Sequence, residues 1–214
     1  MRSETPASPG DPPAETPSRS FIETARRRQL IDAAVATVNE VGYHRASLAE
    51  IGKRAGIVKS AIGYYFSSKE ALLLELVQEA FTALGESVLG AVSGHEQATA
   101  RLRAYAEAYL AHVDAHRHAI AAAVEIVVSH RTADGTPLYL VENEEDTALL
   151  RSILTAGMEQ GSFLRMPIKV ATGFVESVLD HAITVVQRDP RADLGDLRAH
   201  AVPFVLRSLG AGDE

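Results

Sequence analysis

The 214-residue chain contains no cysteine and no tryptophan, and only six tyrosines and six phenylalanines. Without thiols it can form neither disulfides nor thiolate metal sites, a usage that suits a reducing cytoplasm. No apolar run approaches the roughly 20 residues that a membrane span needs. The longest, His118 to Val128, is short and is broken by Glu125. No apolar stretch near the N-terminus could serve as a signal-peptide core, so the expectation is a cytoplasmic protein with no membrane partner. No segment alternates apolar and polar residues for long enough to read as a strand. Nor is there a Gly-rich phosphate loop, a nucleophile elbow or a carboxylate pair placed by a motif. The expectation is therefore a protein that is not an enzyme, with no catalytic residues and no cofactor.

What is present is an ordinary globular composition, 46% apolar and 23% charged, with a formal net charge of −7. The charge is unevenly distributed. Residues 1–20 hold two basic and three acidic groups, residues 21–70 eight and five, and residues 71–214 eleven and twenty. A basic module is thus joined to an acidic body, and phosphate binding depends on such local surplus rather than on the total. Residues 1–19, rich in Pro, Ser and Thr, cannot bury enough apolar surface to order themselves and read as a disordered tail. A DNA-reaching arm using Arg2 and Arg19 is the less favoured alternative, because the tail lacks a cationic surplus.

From Ser20 the pattern is helical almost throughout, so the fold class is all-α. The first helix runs to Val41, with Leu30, Ile31, Ala34, Val35, Val38 and Val41 on one stripe and Gly42 as its C-terminal cap. Ser47 and Glu50 form the S-x-x-E signature that opens a short helix ending at Ala55-Gly56. A further helix spans Val58 to Tyr65, and Ser67 to Glu70 repeats the capping signature ahead of a long segment from Ala71 to Val92. Helical patterns then cover about 95–115, 117–130, 142–160, 167–188 and 192–209.

Two short helices joined by a glycine turn, the second displaying small polar and basic residues, make a helix-turn-helix. On spacing alone, two small helices packed in a bundle would look similar. The stretch Arg28 to Gly42, the run Ser47-Leu48-Ala49-Glu50-Ile51 and the run from Ala55-Gly56 through Tyr64-Tyr65-Phe66 to Ser68-Lys69-Glu70-Ala71-Leu72 resemble the N-terminal signature of the TetR family of transcriptional regulators. The resemblance covers about residues 24–78, and nothing beyond it carries a signature. It implies a three-helix helix-turn-helix DNA-binding domain over 20–67 and a helical ligand-sensing and dimerisation domain over 68–214.

It also implies DNA contacts at Arg28, Ser47, Lys59, Ser60, Ala61, Tyr64, Tyr65 and Lys69. Ser47 occupies a phosphate-contacting position and is equally the helix cap; Tyr64 and Lys69 occupy backbone-contacting positions. Arg26, Arg27 and Arg28 lie near the start of the first helix, where the dipole does not favour positive charge. Phosphate contact would account for at least one of them, and ordinary solvation is the other reading. Val58 and Gly63 depart from the family pattern, where serine and tyrosine are usual, so two hydroxyl groups are missing.

In the body, Tyr105, Tyr109, His112 and His116 share a helix face by i, i+4, i+7, i+11 spacing and are candidates for an effector pocket, with Glu125, Asp180 and His181. Satisfied polar groups on helix surfaces are the blander reading of each. His112-x-x-x-His116 has metal-ligand spacing but no identifiable third ligand, so no metal site is expected. The apolar residues Val170, Phe174, Val178, Ile183, Val202, Val205, Leu206 and Leu209 of the last two helices offer a dimer surface or a monomer core. Together these point to a repressor that binds a palindromic operator as a homodimer and is released by a small-molecule effector. A helical protein-interaction module without specific DNA binding is the alternative. The effector, the operator and the sign of regulation are not written in the residues.

Overall fold

A computed structural model describes residues 19–141, 145 and 147–211. Of the tail expected over residues 1–19, residues 1–18 lie outside the described residues, and Arg19 belongs instead to the first helix. Among the described residues there are nine α-helices and no strand: α1 (Arg19–Val41), α2 (Leu48–Ala55), α3 (Lys59–Tyr65), α4 (Lys69–Val92), α5 (Ala98–Ala115), α6 (Arg117–Ser129), α7 (Ala148–Glu159), α8 (Ile168–Arg188) and α9 (Gly195–Ser208). A single 3-10 turn, Leu138–Leu140, lies between α6 and α7. None of these helices is long and apolar enough to cross a membrane.

The local signals act largely as the sequence predicts. Ser47 caps α2 by accepting the Glu50 amide at 3.2 Å, and Gly56 ends it at φ +65°, the left-handed conformation that glycine adopts without a Cβ penalty. The α4 cap is displaced by one residue. Ser68, not Ser67, accepts the Ala71 amide at 3.1 Å, so α4 begins at Lys69 rather than Ala71. The helix expected over 142–160 starts only at Ala148.

The three N-terminal helices close around Leu30, Ala34, Ile51, Ile62 and Phe66, all buried. Helix α1 packs on α2, α4 and α6, and thereby joins the N-terminal unit to the rest. In the body, Leu102, Leu110, Ile120, Ile126, Leu150, Ile153 and Leu179 fill the interior. Val202, Val205, Leu206, Leu209 and Ile183 also belong to that interior, which settles the role of five of the eight residues offered for a dimer surface. They sit on the inward stripes of α8 and α9. Of the other three, Val170 and Phe174 are exposed and Val178 is half-buried; Leu164 and Phe204 are also exposed.

Candidate functional site

Helix α3 turns one face inward and one outward. Ile62 is fully buried, while Val58, Lys59, Ser60, Gly63 and Tyr64 are exposed. Ala61 and Tyr65 are half-buried, and the Tyr65 ring meets Tyr64 edge-on at 5.1 Å. Val58 occupies the N-cap of α3 and offers no side-chain hydrogen bond, the direct consequence of apolar carbon where a hydroxyl would cap. Lys59 and Ser60 have no partner among the described residues, so their donors are free to meet a ligand.

The pairing of α2 with α3 depends on a glycine that sequence reading passed over. A Cβ at Gly52 would stand 2.6 Å from the Ile57 carbonyl oxygen and 2.9 Å from Ile62 Cδ1. The Ile57 amide donates to the Gly52 carbonyl at 2.8 Å, closing the turn at the same point. Only the absence of a side chain lets the two helices approach this closely.

The N-terminal arginines divide by role. Arg27 donates to the Tyr65 carbonyl at 2.6 Å, pairs with Glu75 and covers the Phe66 ring at 4.5 Å, so it ties α1 to the end of α3 and to α4. Arg28, expected at the DNA, instead pairs with Glu79 at 3.1 Å and Asp32 at 3.2 Å. It lines a cavity of about 330 Å³ between α1, α4, α5 and α6, two turns of α4 or more beyond the α3 surface. The helical register of α1 directs it there, and both neighbouring carboxylates hold it.

Lys69 is half-buried at the first turn of α4, donates to the Tyr43 carbonyl at 2.8 Å and stands 4.7 Å above the Tyr43 ring. Tyr43 is also held by the body. Its hydroxyl lies 2.7 Å from Nδ1 of buried His130, and its amide donates to Glu125 at 3.3 Å. Burial, aided by Glu70, pushes the Tyr43 hydroxyl pKa up. Glu70 is held below the ordinary carboxylate range, first by its own backbone hydrogen bond and then by Ser68. Glu125, a pocket candidate on sequence, accepts this amide at the α1–α2 loop and also lines a cavity of about 700 Å³ with Val38, Asn39, Arg117 and Val186.

The other body candidates separate into two groups. Tyr105 and Tyr109 stack with centroids 6.5 Å apart, and the Tyr109 hydroxyl donates to Asp180 of α8. Burial raises both phenols, that of Tyr105 to about 12. His112 and His116 stack at 4.0 Å and line the same cavity as Arg28 and Glu79. Burial and then His116 lower the His112 pKa. One face of α5 therefore serves two neighbourhoods, because Tyr105 and His116 are about 16 Å apart along the axis. His181 is exposed on the outer side of α8. Glu176, which sequence reading missed, lies beside Asp180; i, i+4 spacing on α8 was the available signal. Among the described residues no group of three or more His, Asp or Glu could hold a metal.

Comparison with known proteins places these features. Residues 30–76 match the profile of bacterial regulatory proteins of the tetR family. The chain is 46% identical over 89 residues to the HTH-type transcriptional regulator BetI of Yersinia pestis (strain Pestoides F), covering 40% of this chain and 44% of that relative. BetI of Escherichia coli O45:K1 is 39% identical over 82 residues, 38% of this chain and 42% of that one. The match thus spans less than half the length of either relative. Over nearly the whole fold, the chain resembles the fatty acid degradation regulator FadR from Bacillus halodurans, with a TM-score of 0.73 at 25% identity, over 87% of this chain and 97% of that one. FadR from Bacillus subtilis in complex with stearoyl-CoA has a TM-score of 0.71 at 24% identity, over 84% and 97%.

Proposed function

The chain belongs, through residues 30–76, to the tetR family of bacterial regulatory proteins, and from that premise we propose that it is a ligand-responsive transcriptional repressor. Residues 20–67 form its DNA-binding unit, and residues 68–214 sense an effector and dimerise. The protein works in the cytoplasm without a membrane partner. The observation that carries the reading is the outward face of α3, where Lys59, Ser60 and Tyr64 stand exposed and Lys59 and Ser60 are unpaired. It is flanked by the Ser47 cap and by Lys69 at the N-terminus of α4.

In this reading α3 enters the major groove, with Lys59, Ser60 and Ala61 nearest the bases and Ser47, Tyr64, Tyr65 and Lys69 nearest the phosphates. The helix dipole of α4 adds to the Lys69 charge at a phosphate. Arg28 is left out, since its guanidinium already serves two carboxylates. The exposed Leu164, Val170, Phe174 and Phe204 supply an apolar face for a second copy, which places two α3 helices about one DNA turn apart on a palindrome.

An effector bound among Tyr105, Tyr109 and Asp180 shifts α5 and α8, and α4, packed on α5 and α6, carries the change to α3. Such coupling is reciprocal, so operator DNA weakens effector binding by the same factor. The direct test is gel-shift titration of the purified protein on fragments selected from random DNA. Retained, salt-sensitive binding to one motif supports the reading, and binding that ignores sequence refutes it.

A further inference from the structure

The cavity of about 330 Å³ lies where the N-terminal unit meets the body, with walls from α1, α4, α5 and α6. Its titratable lining is Arg28 and Asp32 of α1, Glu79 of α4, His112 of α5, His116 at the α5 C-cap and His118 of α6. Helices α7, α8 and α9 contribute nothing to these walls. Elsewhere on α5, Asp180 of α8 accepts from Tyr109, and Asp114 pairs with Arg117 of α6 and Arg198 of α9.

His112 is the buried member of this set, 7% exposed, and its ring has no hydrogen-bond partner among the described residues. The His116 ring stacks on it, with centroids 4.0 Å apart and planes 24° from parallel, while His116 Nδ1 donates to the His112 carbonyl at 3.0 Å. Burial, and then the His116 ring, hold the His112 pKa below its ordinary value. A neutral His112 suits this place and a charged one does not. The carboxylates of the cavity, Asp32 and Glu79, are already held by Arg28 at 3.2 Å and 3.1 Å. A buried imidazolium without acceptors costs the fold free energy, and a second charge on the stacked ring would repel it.

An imidazolium carries two N–H donors, and the acceptors of this cavity that carry negative charge are the two carboxylates around Arg28. Taking Glu79 breaks one of the two ion pairs that tie α1 to α4 among the described residues, the other being Arg27 with Glu75. Helix α1 also holds the end of α3, because Arg27 donates to the Tyr65 carbonyl at 2.6 Å. A shift of α1 on α4 therefore re-aims the outward face of α3. We propose that this seam is a proton-operated switch: protonation of His112 draws Glu79 from Arg28, loosens α1 from α4 and weakens the hold on DNA. The switch rests on the reading of α3 as the DNA-binding face.

The test compares the full-length parent with His112→Phe, which keeps a stacking ring, and His112→Gln, which keeps a polar group; neither replacement titrates. Affinity for a DNA fragment selected by the parent is measured at fixed salt at pH 7.5 and pH 5.5. Linkage through one proton changes affinity at most about tenfold per pH unit, so a parent loss of about tenfold over this interval is expected, with both variants holding within about threefold. The sign is diagnostic, since added positive charge by itself tightens phosphate binding in acid. Melting curves give a second readout. A base whose folded pKa is depressed binds fewer protons folded than unfolded, so its stability is present above about 6.5 and lost as pH falls toward the folded value. The parent should therefore lose Tm in acid relative to both variants. Parent affinity that holds or rises in acid, or folded variants that lose affinity as the parent does, overturns the switch while leaving the regulator reading intact. Absence of sequence-selective binding at pH 7.5 in parent and variants alike overturns both.

Discussion

The same substitution, glycine to alanine, has opposite expected effects at two positions eleven residues apart. At Gly52 the new Cβ would stand 2.6 Å from the Ile57 carbonyl oxygen and 2.9 Å from Ile62 Cδ1, both parts of the α2–α3 junction. Overpacking of this kind costs about 1–3 kcal/mol, and a backbone oxygen that cannot swing aside puts the site at the upper end. Alanine regains about 1 kcal/mol of helix propensity, leaving a net loss of about 2 kcal/mol. At Gly63 nothing lies within 4 Å of the new atom, so the propensity gain of about 1 kcal/mol stands alone. For a chain of this size, Gly52→Ala should lower Tm by roughly 6 °C and Gly63→Ala should raise it by roughly 3 °C. Circular dichroism at 222 nm during heating measures both. Gly52→Ala should also weaken DNA binding, because separating α2 from α3 re-aims the outward face. A Gly52→Ala protein that melts with or above the parent refutes the close-approach argument.

Other substitutions separate the remaining roles. Lys69→Ala should weaken binding to every DNA sequence and lower the salt slope by about 1, as a lost phosphate contact does; it should also cost about 1 kcal/mol of stability, because the hydrogen bond to the Tyr43 carbonyl goes with it. Ser60→Ala should change the preferred sequence, read by competition among selected fragments, while leaving the salt slope alone. If α8 pairs with a second copy as proposed, Phe174→Glu should leave a folded monomer in sedimentation experiments, since it places charge on a side chain exposed in the single chain. Glu176→Gln should stabilise the ligand-free protein at pH 7. A carboxyl whose folded pKa is raised binds more protons folded than unfolded, so its penalty is absent below the unfolded value near about 4 and grows as pH rises through the folded value. Melting curves of parent and variant should therefore converge in acid and separate at neutral pH.

The N-terminal unit is legible in the residues because its signals are local. A serine cap and a left-handed glycine act within a few residues, and each appears where expected. Gly52 escaped notice because its reason is a contact between helices, which periodicity does not encode. The ion pair of Arg28 with Glu79 is hidden for a related cause: Glu79 is 51 residues away along the chain, and only the packing of α1 on α4 brings them together. The body is less legible still. The face shared by Tyr105, Tyr109, His112 and His116 is real, yet its two ends meet different partners. Glu125 accepts from the Tyr43 amide, 82 residues distant, a contact that helix periodicity does not encode. Apolar periodicity likewise marked the inward stripes of α8 and α9 without telling the core from the exposed Val170 and Phe174.

The central claim is sequence-specific DNA recognition by a twofold protein, and selection of bound fragments from random and genomic DNA, read by sequencing, tests it most directly. The account predicts an enriched inverted repeat whose half-sites lie about one helical turn apart, and loss of that enrichment in a Lys59→Ala, Ser60→Ala, Lys69→Ala triple variant that still folds. A folded, dimeric parent protein that enriches no sequence would contradict it.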